Sequence, residues 1–186
     1  MKRIVVFVFF LSVSLYMSAC RNTGEKKLAD VEKQELATGI RHDSLFLGLS
    51  LGMTKREFFD YCLDMNKKGI FTEGSDKTVE YVLGKKNFHF PLQMNFYPHF
   101  KEDKIIDLPI KFTYKGIDLS YPNGQTEKLA EDVKKLMKEW YGDGFFITPL
   151  PNGGKGYAKV SGNRRVLIFS EKEYEIMVIV RDLTVQ

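Results

Sequence analysis

Residues 49–69 read LSLGMTKREFFDYCLDMNKKG, and this stretch contains the signals that start and end one helix. Thr54 suits the N-cap position, because its hydroxyl can accept a hydrogen bond from the free amide of Glu57. The Glu57 carboxylate can in turn accept one from the Thr54 amide, which completes a capping box. Gly69 suits the left-handed position that follows a helix. The spacing predicts one apolar face, formed by Phe58, Cys62 and Met65.

Segments on the C-terminal side of this helix alternate apolar and polar residues with period two. The alternation covers residues 78–83, 88–97 and 106–114. This pattern predicts strands of an antiparallel sheet with one face on the core and the other in water.

A second helix and a second set of strands follow in the same order. Thr126 is predicted to be the N-cap of this helix and Gly142 to end it. Its apolar stripe consists of Leu129, Val133, Leu136, Met137 and Trp140. Further strands are predicted over residues 145–148, 156–160, 164–170 and 174–182.

The two helices open with similar tripeptides, Gly52-Met53-Thr54 and Gly124-Gln125-Thr126, which lie 72 positions apart. The repeated order predicts an α+β domain over residues 44–186. We expect tandem helix-plus-antiparallel-meander units, over residues 44–118 and 119–186, with each helix packed on one face of a sheet.

The N-terminal residues have the pattern of an export signal. Lys2 and Arg3 precede an apolar run over residues 4–16. This run is shorter than the roughly 20 residues that a transmembrane helix needs, and it has the length of a signal-peptide core. We therefore predict a signal peptide over residues 1–19.

Met17-Ser18-Ala19-Cys20 resembles a bacterial lipobox. The resemblance implies cleavage before Cys20 and diacylglycerol attachment to its sulfur, which anchors the protein in a membrane. Because Arg21 stands where an aspartate would favour the inner membrane, the resemblance implies the outer membrane. The absence of an acidic cluster after Cys20 favours a position on the periplasmic face of the outer membrane. The alternative is an ordinary secretory signal whose cysteine is incidental.

Residues 20–43 are expected to be a lipidated N-terminus and flexible tether, with a helical stretch over residues 28–36.

The Gly52-Met53-Thr54 cap, followed by Phe58 and a meander in a lipoprotein, resembles the SmpA/OmlA (BamE-like) family. The doubled layout is similar to the β-lactamase-inhibitor-protein-like fold. The resemblance implies this fold and an outer-membrane location, but it does not identify a partner.

The sequence favours a binding protein over an enzyme. The net charge of +4 becomes +2 without Lys2 and Arg3, and charges of both signs are interspersed, so we expect no nucleic-acid binding. The three histidines lack the spacing of a zinc site, and Cys62 has no histidine near it in sequence, so no metal, cofactor or catalytic residue is assigned. A weaker hypothesis is a metal or acid–base site that uses His89 and His99 with Asp103 nearby.

We expect a non-catalytic module that binds an envelope protein or cell-wall component. The alternative is a small periplasmic enzyme, or an enzyme inhibitor, that acts on cell-wall or glycan substrates.

The last two predicted strands are apolar on both faces. One set, which includes Val166, Ile168, Ile176, Val178 and Val180, is expected to face the second helix. The opposite set is either covered because these strands are central, or it is an exposed docking surface. In the docking hypothesis the partner site consists of Leu167, Phe169, Met177 and Ile179, with Arg165 and Arg181 as its polar rim.

Overall fold

The structure, a computed structural model, describes residues 23–116 and 125–185. The predicted signal peptide, Cys20 and the first residues of the second predicted repeat lie outside the described residues. The helices are α1 (Thr23–Ala37), α2 (Lys55–Lys67) and α3 (Gln125–Tyr141). The strands are β1 (Phe71–Glu73), β2 (Val79–Leu83), β3 (Leu92–Phe96), β4 (His99–Lys101), β5 (Lys104–Tyr114), β6 (Phe146–Pro149), β7 (Lys155–Ser161), β8 (Arg164–Lys172) and β9 (Glu175–Asp182).

The strands of the described chain form one antiparallel sheet, so the protein is a mixed α+β fold. Their order is β1-β2-β3-β5-β9-β8-β7-β6, and β4 pairs with β5. The centre of the sheet is the β5–β9 ladder, which runs from the pair Asp107↔Arg181 to the pair Phe112↔Ile176.

Helix α2 has the boundaries that its sequence predicts. The Thr54 hydroxyl accepts from the Glu57 amide at 3.2 Å, and Glu57 Oε2 accepts from the Thr54 amide at 2.8 Å. Gly69 has φ 69°, and its amide and the next one donate to carbonyls of the last helical turn. This arrangement is a Schellman motif. Phe58 is fully buried, and Met65 is buried as well.

The core lies on the sheet face that α2 and α3 cover. Phe46, in the segment before α2, stacks on Trp140 of α3 with ring centroids 5.0 Å apart, and it meets Phe96 of β3 edge-on at the same distance. Side chains of the two helices, the sheet and this segment therefore form one continuous core.

The start of α3 differs from the prediction. Thr126 lies inside the helix, and its hydroxyl accepts from the Tyr174 amide at 3.1 Å. It therefore joins α3 to the β8–β9 turn and does not cap the helix. Gly142 follows the helix with φ 80°, as predicted.

The predicted strand over residues 88–97 was too long. Only Leu92–Phe96 pair with a neighbouring strand. The His89 amide donates to the Asp132 carboxylate instead of to a ladder, and Pro91 has no amide proton to donate. The short strands β1 and β4 were not predicted.

Helix α1 includes the helical stretch predicted over residues 28–36, but it lies within the segment that we expected to be a flexible tether. It contacts β6 and β7 on the sheet face opposite α2 and α3, which we call the outer face. Glu32 of α1 pairs with Arg165 of β8 at 2.7 Å. Glu35 accepts a hydrogen bond from the Gly162 amide in the β7–β8 turn at 2.8 Å. These contacts hold α1 against the sheet.

Candidate partner-binding face

The residues of the predicted partner site come together on the outer face. Leu167 of β8 lies opposite Ile179 of β9, Phe169 lies opposite Met177, and Arg165 lies opposite Arg181. We call the four apolar residues the β8–β9 strip. The other set, which was expected to face the second helix, is buried in the core.

The β8–β9 strip is separate from the hydrophobic core. Its four side chains are half-buried. They belong neither to the core cluster nor to the partly buried side chains that pack against it. The strip is therefore a half-buried apolar surface outside the core cluster.

The polar rim of the strip consists of two neutralised arginines. Like charges directly opposite each other on neighbouring strands are destabilising, and Arg165 and Arg181 are such a pair. Glu32 of α1 neutralises the first at 2.7 Å. Asp107 of β5 neutralises the second, because its Oδ2 accepts from Arg181 Nε and Nη2 at 3.2 and 2.7 Å.

Asp107 also joins the rim to β4. Its side chain is only 3% exposed, and its Oδ1 lies 2.7 Å from Nδ1 of His99. His99 was predicted to lie near Asp103, but its carboxylate partner is Asp107, because the β4–β5 pairing sets these two residues opposite each other. Buried carboxylates are stable when a positive or hydrogen-bonding group faces them, and here Arg181 supplies that group.

A cleft of about 320 Å³ lies between α1, the end of β6 and the strip residue Leu167. Its apolar lining includes Leu28, Leu150 and Leu167. Thr148 and Arg165 also line it, and within the described chain Thr148 Oγ1 and Arg165 Nε are buried without a hydrogen-bond partner. A buried polar atom without a partner is unfavourable.

The second histidine of the acid–base hypothesis belongs to a separate cluster on the α3 side. Asp132 of α3 is buried, and its Oδ2 accepts from the His89 amide at 2.8 Å and from the Tyr114 hydroxyl at 2.6 Å. His89 Nδ1 lies 3.0 Å from Asp132 Oδ1. Burial and the bond to Asp132 raise the pKa of Tyr114 above its usual range. The cluster joins α3 to β5 and to the segment before β3.

The described residues contain no group of three or more histidine, cysteine, aspartate or glutamate side chains arranged to hold a metal ion. Burial raises the pKa of the Cys62 thiol to about 11, so this thiol stays protonated at neutral pH and is a poor nucleophile. None of the helices in the described ranges has the length and apolarity needed to cross a membrane.

No family model, curated protein or solved structure matches the chain.

Three elements of this face were not predicted from the sequence. These are the docking of α1, the pairing of Glu32 with Arg165, and the position of Asp107 beneath Arg181. Glu32 lies in a polar segment whose apolar periodicity is weak, so its sequence gave little sign of a packed helix. Asp107 alternates with apolar residues on a strand, which assigns it to the outer face but does not identify its partner.

Proposed function

We propose that the protein is a non-catalytic lipoprotein of the bacterial envelope that binds a partner through the β8–β9 strip. The partner is an envelope protein or a cell-wall component. The observation that supports this proposal is an apolar surface outside the core, bordered by charged pairs that are already neutralised. Binding surfaces commonly have an apolar centre and a polar rim.

The proposed anchor is acylated Cys20 in the outer membrane, with the folded domain on the periplasmic side. The lipobox-like residues before Cys20 support it. Only three residue steps separate Cys20 from the start of α1 at Thr23, a span of at most about 10 Å. Because α1 is held against the sheet, this anchor would keep the outer face close to the membrane.

The proposed fold relationship is a tandem pair of helix-plus-meander units, as in the BamE-like family and the β-lactamase-inhibitor-protein-like fold. It is supported by the strand order, in which β1, β2, β3 and β5 follow α2 and β6 to β9 follow α3. The last strands of the two sets, β5 and β9, pair at the centre of the sheet.

The proposed function is tested by replacing Leu167→Ser and Met177→Ser together. We expect the variant to lose capture of its partner from detergent-solubilised envelopes while its melting temperature stays close to that of the wild type. The matched control is Phe59→Ser with Leu63→Ser, two α2 residues that are 46% and 55% exposed. This control should keep both capture and stability. A collapse of the melting temperature in the strip variant would show that the strip is part of the core.

A second candidate, an enzyme or enzyme inhibitor that acts on cell-wall or glycan substrates, is favoured by one observation. The His89 side chain is 44% exposed beside buried Asp132, at the edge of a cleft of about 390 Å³. A carboxylate in this position can orient an imidazole as a general base. Turnover of purified peptidoglycan that disappears in His89→Ala would establish this candidate, whereas the binding proposal predicts no turnover by either protein.

A further inference from the structure

Helix α1 covers a second group of buried side chains, on the outer face of β6 and β7. Ala158 and Val160 of β7 are buried. They lie opposite Leu167 and Arg165 of β8, which places them on the outer face. Neither residue belongs to the hydrophobic core cluster. Because α1 contacts these strands, it is the layer that buries them.

The cleft of about 320 Å³ opens beside this group, and we call it the α1 cleft. Its volume lies at the small end of the range for ligand pockets, about 300–1,000 Å³. It equals about ten groups of water or methylene size, at about 30 Å³ each. None of its lining residues in the described chain is aromatic, and the apolar ones are Leu28, Ala29, Pro149, Leu150, Pro151 and Leu167. Aliphatic walls of this kind suit a flexible hydrocarbon chain better than a planar ring.

Thr148 places a hydroxyl group within this apolar surface. The residue is fully buried and lines the cleft. Within the described chain, its Oγ1 has no hydrogen-bond partner. The residue directly opposite on β7 is Gly156, which has no side chain that could supply one. A buried hydroxyl without a partner is unfavourable, so a hydrogen bond from a ligand to this group would be stabilising.

Arg165 is the second polar group of the cleft. Its Nη1 donates to Glu32 Oε1 at 2.7 Å, and its buried Nε has no acceptor in the described chain. The cleft therefore offers an N–H donor and a hydroxyl, which donates or accepts, beside an ion pair without net charge. A ligand carboxylate would place a second negative charge beside Glu32, and like charges repel. A neutral carbonyl group fits this site better.

We propose that the α1 cleft binds the aliphatic chain of a neutral acyl ester or acyl amide. Its carbonyl oxygen accepts hydrogen bonds from Arg165 Nε and from the Thr148 hydroxyl, and its chain contacts the leucine and proline walls. This site goes beyond the binding of a partner by the β8–β9 strip, because its ligand is a small molecule or an acyl group and not a macromolecule.

Two sources of such a chain exist at the proposed anchor, and this part of the inference rests on the proposed function. One source is a lipid of the surrounding membrane, and the other is the acyl group on Cys20. Leu28 lies about 8 Å along α1 from Thr23, and Cys20 lies at most about 10 Å from Thr23. Acyl chains attached at Cys20 therefore start within about 18 Å of the cleft.

The test uses isolated envelopes that contain the full chain, and two photo-reactive probes with the same hydrocarbon chain. Decanoyl glycerol is the neutral ester and decanoate is the carboxylate, each with a diazirine at the end of its chain. After illumination, mass spectrometry measures the labelling of the cleft residues 148–151. Phe59 and Leu63 of α2, which are 46% and 55% exposed, report adsorption to an ordinary apolar surface.

Thr148→Val keeps the shape of the side chain and removes the hydroxyl. We expect it to fold and to reduce labelling of the cleft by the ester about two- to tenfold, the equivalent of one lost hydrogen bond. The matched control is Thr72→Val, at an exposed position of β1 on the opposite edge of the sheet, which should leave labelling unchanged. Ala29→Phe, which fills the cleft from α1, tests the site independently if Thr148→Val does not fold.

We expect the ester to label the cleft several-fold more than decanoate does, with Phe59 and Leu63 at background. Cys20→Ala distinguishes the sources. If the acyl group on Cys20 occupies the cleft, only this variant is labelled, and the cleft substitutions are compared in it; if a membrane lipid does, the wild type is labelled as well.

Four results would each overturn the proposal. They are no cleft labelling in either protein, equal labelling by the two probes, equal labelling of the α2 residues, and labelling that the cleft substitutions do not reduce. None of them bears on partner capture by the β8–β9 strip, which Leu167→Ser with Met177→Ser tests separately.

Discussion

Phe58→Ala is the substitution that most directly tests the role of α2 in the core. The Phe58 side chain is fully buried. The centroid of its ring lies 6.0 Å from the ring centroid of Tyr97 and 5.9 Å from that of Phe100. Removing a fully buried phenylalanine ring costs about 3–5 kcal/mol, because the apolar contacts are lost and a cavity remains. Thr54→Ala, which removes only the N-cap hydrogen bond, should cost about 1 kcal/mol.

Urea unfolding followed by the fluorescence of Trp140, the only tryptophan, measures both changes. With an m-value of about 2 kcal/mol per molar urea, Phe58→Ala should lower the midpoint by about 2 M and Thr54→Ala by about 0.5 M. Phe59→Ala is the matched control, since this neighbouring ring is 46% exposed. If the Phe58→Ala midpoint falls no further than those of the other two variants, α2 is not anchored by this ring and the packing argument fails.

Three further predictions concern the anchor, α1 and the C-terminal end of the sheet. Cys20→Ala should leave an uncleaved precursor that incorporates no labelled palmitate, and equal labelling of wild type and variant would contradict the anchor. Glu32→Gln removes the ion pair that holds α1 on β8; trypsin should then cut α1 faster than in the wild type, with little change in melting temperature, and equal cutting rates would show that the pair does not hold the helix. Burial raises the pKa of Asp182, but hydrogen bonds from Thr184 and Arg41 outweigh it and lower the pKa below its usual value. Asp182 should therefore stabilise the fold above about pH 4 and lose this effect as the pH falls further. Asp182→Asn should lower the melting temperature at neutral pH, and by less in acid. A melting-temperature difference that does not change with pH would refute this.

The elements with complete local signals could be predicted from the sequence. The boundaries of α2 follow from Thr54, Glu57 and Gly69, because caps act through bonds between residues close in the chain. The alternation correctly predicted the buried sets of β5 and β9, because the period of a strand fixes its faces; these are Leu108, Ile110, Phe112, Ile176, Val178 and Val180. It did not predict that Asp107 on the opposite face is buried as well.

The contacts that depend on tertiary structure could not be predicted. Asp132 accepts from residues 43 and 18 positions away, and no local pattern encodes such pairs. Propensity favoured a longer strand before β3, but the His89 amide is taken by Asp132 and Pro91 cannot donate, so the ladder begins at Leu92. The composition of α1 indicated a tether, but its few contacts with the sheet hold it as a docked helix.

The proposed function requires that a partner covers the outer face of β8 and β9 in the envelope. Oxidation of Met177 by mild peroxide, quantified by mass spectrometry in purified protein and in isolated envelopes, tests it most directly, because an accessible thioether oxidises readily. Met53 is the control, since it is also half-buried but packs against the core. We expect Met177 to be oxidised in the purified protein and protected in envelopes, with Met53 oxidised to the same extent in both. Equal oxidation of Met177 in the two samples would contradict it.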